Sequence, residues 1–187
     1  MRIKGINKNK LFFTADEHYW HRNVLKYENR PFQTIEDMNE ALIQNFNELV
    51  PKDGTTIHAG DFCLGHLKTP EVYKSIINRL SGSHIFIMGS HDRWLNGVPN
   101  IHEIVEILID KRFLVISHYC IRSWARSHYN SWHLFGHSHG RLIPIGKSWD
   151  IGVDNNNFYP LSFTQIETIM NNKPDNPNFI PFDKRKR

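Results

Sequence analysis

The chain has 187 residues, 40% hydrophobic and 22% charged, a size and balance that suit one globular domain and exclude wholesale disorder and fibrous repeats. No stretch approaches the ~20 apolar residues needed to cross a bilayer, and the start, Met1-Arg2-Ile3-Lys4-Gly5, lacks the apolar run of a secretory signal. The net charge of +4 equals what Lys184, Arg185, Lys186 and Arg187 contribute alone, so the body is neutral and extensive binding to a nucleic-acid backbone is disfavoured. In chain order, Lys10–Ala15 reads as a short buried strand that stops at Asp16. Ile35, Met38, Leu42, Phe46 and Leu49 form one helical face, opened by Thr34 with Asp37 and closed by Pro51. Thr55–Ala59 is a second strand, running into Gly60-Asp61. A helix is predicted from Thr69-Pro70, proline being tolerated at the first helical position, with Val72, Tyr73, Ile76, Ile77 and Leu80 on its face and Gly82 as its stop.

His84–Met88 is a third strand, halting at Gly89-Ser90-His91-Asp92. Ile104–Ile109 and Phe113–Ser117 read as strands, the second ending at His118. Trp132–Phe135 is another and leads to Gly136-His137-Ser138-His139; Trp149–Val153 is a further strand. Ser162 with Gln165 makes a capping box for a last helix through about Asn172. Beyond Lys173 the sequence is irregular and its end basic. Cys63 and Cys120 form no CxxC pair, so no disulfide framework is expected and a reducing, cytoplasmic setting is the default.

Strand after strand ends in Gly, His or Asp. In open α/β sheets ligands gather at the carboxyl ends of strands, so these ends are expected to build one composite site. Asp16 and His18 are two apart, which on an extended exit would point both side chains the same way; His137 and His139 share that spacing. A mixture of carboxylate and imidazole suits Zn, Mn, Fe or Ni better than Mg or Ca. Two Asp and four His are too many for one tetrahedral ion with an open position. A pair of divalent transition-metal ions sharing a carboxylate fits the number better.

Asp16-Glu17-His18, Gly60-Asp61, Gly89-Ser90-His91-Asp92, His118 and Gly136-His137-Ser138-His139, in that order over about residues 11 to 170, resemble the motif set of the calcineurin-like metallophosphoesterase superfamily, and in particular its compact bacterial and phage branch. The resemblance implies an α/β (α+β) fold, a four-layer αββα sandwich with two mixed β-sheets, over residues 1–173, followed by an irregular basic tail, 174–187. It places one ion on Asp16, His18, Asp61 and His139 and a second on Asp61, Ser90, His118 and His137, with Asp61 bridging. His91 would donate a proton to the leaving oxygen, and Asp92 would orient His91. His21, Arg22 and Arg30 are candidates for phosphate contact.

The implied activity is hydrolysis of phosphodiesters or small nucleotide phosphates by a hydroxide bridging the two ions, in the cytoplasm (the host's, for a phage protein). The rival readings are a DNA or RNA nuclease and an impaired metal- or phosphate-binding protein. The last arises because the family has Asn where this chain has Ser90, whose hydroxyl is shorter and a poorer neutral ligand. Tyr19, Trp20, Trp124 and Trp132 are candidates to stack a base, with packing as the plainer role. Neither cysteine falls in a motif position, and both read as structural.

Overall fold

The computed structural model describes residues 2–3, 5–64, 70–92, 95 and 101–184. Thr69, the expected opening of the third helix, and Arg185, Lys186 and Arg187 of the basic end lie outside them. Among the described residues ten strands form two five-stranded sheets. The first runs β10 (Leu161–Ser162), β2 (Leu11–Thr14), β3 (Thr55–His58), β4 (Ser83–Ile87), β5 (Ile101–His102); β10 is antiparallel to β2 and the rest are parallel. The second runs β1 (Arg2–Ile3), β6 (Ile104–Ile109), β7 (Arg112–Ser117), β8 (Trp132–Phe135), β9 (Ser148–Asp150), with only β6 and β7 antiparallel. The fold is an α/β sandwich of two mixed sheets.

Alternation assigns the faces. Leu11, Phe13, Ile57 and Ile87 of the first sheet meet Val105, Ile107, Leu114, Ile116 and Leu134 of the second in one core. Helix α4 (Phe163–Asn171), capped by Ser162 and Gln165 as predicted, adds Phe163, Ile166 and Met170 to it. The other face of the first sheet carries Phe12 and Phe86, covered by Met38, Leu42 and Phe46 of α2 (Ile35–Leu49), Ile76 of α3 (Pro70–Ile77) and Val24 of the short α1 (Val24–Tyr27). Strands buried on both faces explain why Leu11-Phe12-Phe13 is a continuous apolar run rather than an alternating one. Thr34 and Asp37 complete the capping box of α2.

The outer face of the second sheet is covered differently. Residues 119–131 fold back across it, putting Trp124 5.1 Å from His133 and Arg126 over Phe113. Beyond α4, residues 174–184 are irregular apart from a 3-10 turn at Phe182–Lys184, yet anchored: buried Asn176 donates to the carbonyls of Ser127 and Ser131. The expected strand Trp149–Val153 is shorter, Ser148–Asp150, and Val153 opens a 3-10 turn instead.

Register brings the functional segments together. Thr14 lies opposite His58, and His58 opposite Phe86, so the exits of β2, β3 and β4 emerge side by side. Ile116 pairs with Leu134, which aligns the exits carrying His118 and His137. A bridge between Ala15 and Gly152 draws the two groups of exits to one edge of the sandwich.

Candidate metal centre

Two clusters with ligand atoms mutually within 4.8 Å form at that edge: Asp16, His18 and His139, and Asp61, His118 and His137. Each mixes residues from both sheets. The backbone that presents them is unusual, because Asp16, His18, Asp61, His137 and His139 all have positive φ, between 46° and 70°. Non-glycine residues rarely occupy this region, and where they do at a cost of order 1–3 kcal/mol each they cluster at functional sites. The extended exit expected for Asp16 and His18 is therefore replaced by two left-handed kinks. Gly60 (φ 95°) is required on two counts, since a Cβ there would lie 2.5 Å from His118 Nδ1. At Gly89 and Gly136 the need is space: a Cβ would come within 2.2 Å of Asp61 Oδ1 and 2.6 Å of Asp16 Oδ2.

The electrostatics fit a cation pair. Burial pushes the Asp16 carboxyl well above the usual range, and the nearby carboxylates of Asp61 and Asp150 push it further. Burial alone would also raise Asp61, but the neighbouring His118 and His18 rings and the His91 amide hold it below its ordinary value. Burial lowers His18 and His137, leaving neutral imidazoles with lone pairs to donate. His118 Nδ1 donates to the Ala59 carbonyl at 3.0 Å, while its Nε2 is buried, has no hydrogen-bond partner among the described residues and lies 3.4 Å from Asp61 Oδ2. A buried, unpartnered nitrogen aimed at a carboxylate is what a shared ion would satisfy. The residues present fit divalent ions at both clusters.

Several surrounding groups hold these ligands in place. His139 Nδ1 donates to Asp154 Oδ2 at 2.7 Å, which turns Nε2 toward the site. Asp154 in turn takes both its oxygens to the buried Arg30 guanidinium, each at 2.8 Å, and stays low, at about 2: burial opposes this, but the His139 and Arg30 hydrogen bonds prevail. Arg30 also donates to the carbonyls of Asp16 and Glu17. Phosphate contact by Arg30 is thus corrected: its donors are committed to the scaffold. Asp92 receives a similar correction. The four hydrogen bonds its carboxylate accepts among the described residues all come from backbone amides, those of Asp61, Phe62, Cys63 and Gly89, and none from His91. It fixes the turn that carries Asp61 rather than the His91 ring.

His91 lies outside both ligand clusters. Its amide donates to Asp61 Oδ1 at 2.8 Å, and its ring stands 5.2 Å from that of His18 and 5.3 Å from that of His21. Ser90, His91 and His21 line a cavity of about 120 Å³ together with His18, Asp61 and His137. Arg22 is exposed and does not line it. Ser90 Oγ donates to Asp61 Oδ2 at 3.0 Å, so its hydrogen is spent on the carboxylate. Tyr19 and Trp132 are buried, which settles packing over base stacking for both.

Sequence reasoning missed Glu17, His58, Asp150 and Asp154, because second partners of ligands carry no motif spacing. Asp150 takes the Ser138 hydroxyl and the Gly140 and Gly152 amides, shaping the loop between His137 and His139. Burial raises Glu17 to about 8 and lowers His58 to about 3. The pair is thus neutral near pH 7, with the Glu17 hydroxyl donating to His58 Nδ1 at 2.5 Å. Asp150 lies within the strand predicted at Trp149–Val153 and Asp154 directly follows it, and that neighbourhood was the available signal.

No family model matches the chain. An uncharacterized protein of Methanocaldococcus jannaschii, MJ1445, is 28% identical over 172 residues, spanning 88% of this chain and 93% of its own. The crystal structure of a protein of unknown function from Aquifex aeolicus, AQ665, superposes with a TM-score of 0.65 at 21% identity, covering 85% of this chain and 98% of that one, and shares the fold. YfcE, a phosphoesterase from E. coli, is more distant, with a TM-score of 0.44 at 16% identity over 76% of this chain and 75% of its own.

Proposed function

We propose that this chain is a metallophosphoesterase that hydrolyses phosphodiesters or small nucleotide phosphates with two divalent transition-metal ions. The observation that carries the reading is the pair of adjoining Asp/His clusters, with the buried His118 Nε2 nitrogen 3.4 Å from Asp61 Oδ2 and without a hydrogen bond among the described residues. Asp16, His18 and His139 would hold one ion, His118 and His137 the other, and Asp61 both. Such ions supply Lewis acidity toward phosphoryl oxygens and a water acidic enough to deprotonate near neutral pH. The His91 amide holds Asp61 by Oδ1 and the Ser90 hydroxyl holds it by Oδ2, the oxygen that also lies 3.4 Å from His118 Nε2. His91, which lines the cavity beside the ligands, would give a proton to the leaving oxygen, a role worth ~10²–10⁴-fold. His21, lowered to about 4 by burial and by His91, is neutral and offers a second hydrogen bond to the phosphoryl group.

The test is reconstitution of metal-free protein with Mn, Ni or Zn, measuring bound metal and turnover on monoesters, cyclic nucleotides and diesters. Two ions per chain with diester hydrolysis supports the reading; absence of hydrolysis at full metal loading refutes it. One observation favours a second reading, an impaired metal- or phosphate-binding protein: Ser90 gives its hydroxyl hydrogen to Asp61 where an amide oxygen would ligate. That reading requires a single tightly bound ion.

A further inference from the structure

A second cavity, of about 460 Å³, lies on the second sheet's outer side between two loops. Its size falls in the range of small-molecule sites. One wall is Ile121, Arg122 and Trp124, the other Leu142, Ile143 and Ile145. Both walls are continuations of segments that carry metal-ligand candidates. Cys120, at the near margin, is two residues beyond His118, and Leu142 is three beyond His139, so neither is farther along the chain than roughly 7 and 11 Å. Tyr119, the residue between His118 and Cys120, has its ring 4.8 Å from that of His118 and 4.7 Å from that of His137.

The lining has the character of a binding site. Leu142, Ile143 and Ile145 are 45%, 83% and 55% exposed, a cluster of apolar groups in water that gains by being covered. Trp124 is held in place, its indole N–H donating to the Ser131 carbonyl at 3.1 Å, and presents a fixed aromatic wall. Arg122 has no ion pair or hydrogen bond among the described residues and so keeps an uncompensated charge beside apolar surface. Apolar walls, a fixed indole and a free guanidinium complement a flat aromatic group that carries an anion.

We infer that this cavity, walled by the segments that follow His118 and His139, receives the aromatic, anionic organic group of the substrate, of nucleotide size. The substrate assignment rests on the phosphoesterase reading; the binding site itself does not. Calorimetric titration of the metal-free full-length protein therefore tests the site alone, with adenosine 5′-monophosphate, adenosine and inorganic phosphate as probes. The nucleotide is expected to bind, adenosine more weakly, and phosphate not detectably. Ile143→Ser, at an exposed position that leaves folding intact, is expected to weaken the nucleotide about 10-fold. Arg122→Gln should reduce nucleotide affinity to that of adenosine. Failure of the nucleotide to bind at millimolar concentration, or equal binding in both variants, overturns the inference. A wild-type dimer that Ile143→Ser dissociates overturns it too, because the patch would then be a contact between two copies. In the reconstituted protein, Ile143→Ser should raise KM for a diester whose organic group is a nucleoside carrying a second phosphate while leaving that for dimethyl phosphate unchanged; equal effects on both esters would separate the cavity from the reaction. Nucleotide binding with no hydrolysis of any ester would refute the phosphoesterase reading and leave the site standing.

Discussion

Asp154 is the group on which the placement of His139 depends, and Asp154→Asn tests that dependence. The amide can still accept a hydrogen bond from His139 Nδ1, so the ring is expected to keep its place; what is lost is the negative charge behind it. Partners in this position set the orientation and basicity of a ligating histidine, and their removal costs ~10–100-fold in metal affinity, or about 1.4–2.7 kcal/mol. A second effect acts on the fold. The Arg30 guanidinium, whose side chain is fully buried, now makes two hydrogen bonds to Asp154; breaking a buried pair costs ~3–5 kcal/mol, and the Arg30 bonds to the Asp16 and Glu17 carbonyls temper this. Metal-free Asp154→Asn should therefore melt below the wild type by several degrees and bind its first Mn ion ~10–100-fold more weakly. Titration of metal-free protein followed by Mn paramagnetic resonance, beside a thermal melt, reads both. Wild-type affinity for the tightest ion in a variant with a lowered melting temperature would refute the argument, since Asp154 would then brace Arg30 without acting on His139.

Asp61→Ala is expected to abolish binding of both ions, because its carboxylate faces ligands of each cluster; two ions at full occupancy by elemental analysis would contradict this. His91→Ala should keep the metal content and lower turnover most for esters with poor leaving groups, and an equal loss across leaving groups would remove the proton-donor role. Ser90→Asn is expected to tighten the second ion and to raise turnover at limiting metal; unchanged stoichiometry and affinity would show that Ser90 already serves the site. The buried histidines should cost the metal-free protein stability as pH drops below neutrality. Burial lowers His58 and His84 to about 3 and His133 to about 4, so at these sites the unfolded chain takes up protons from about pH 6.5 downward while the native state does not. Glu17, raised to about 8, and Asp16, raised well above the usual range, act in the opposite sense, so the histidine share is read by substitution. His133 accounts for roughly 3 kcal/mol by pH 4, and a His133→Phe variant whose urea midpoint falls as steeply as the wild type's between pH 7 and 4 would contradict it.

Much of the architecture is legible because its strands are apolar runs bounded by polar turns and its long helices carry capping boxes. The edge strands Arg2–Ile3, Ile101–His102 and Leu161–Ser162 are not, since two residues hold no period. The six Asp and His ligand candidates gather in two groups of three at one edge of the sandwich. Their left-handed backbone is invisible in the sequence: nothing in Asp-x-His distinguishes an extended exit from two kinks, and packing of the glycines around them decides. Arg30 and Asp92 were misread for a shared reason. A charged residue near a motif resembles a participant in chemistry, and only burial with a full set of scaffold partners reveals the opposite. The cover over the second sheet was equally hidden, since residues 119–131 and 174–184 hold it through side-chain bonds to carbonyls, which leave no pattern.

Each ligand cluster takes members from both sheets, so ions held there would be mechanical fasteners as well as chemical ones. Asp16 and His139 are 123 residues apart (139 − 16), so an ion held between them closes a loop comparable to one tied by a long-range disulfide. A covalent link of about 100 residues would be worth ~4.7 kcal/mol in chain entropy; a metal link releases when the chain unfolds, so its benefit rises with free-ion concentration. At this edge the Ala15–Gly152 bridge and the His137 amide on Asp16 already tie the two sheets, and ions would add a tie that depends on their supply. Under a pulling force applied across the two sheets, resistance would thus depend on the surrounding metal, and rupture would release both ions together with the sheets.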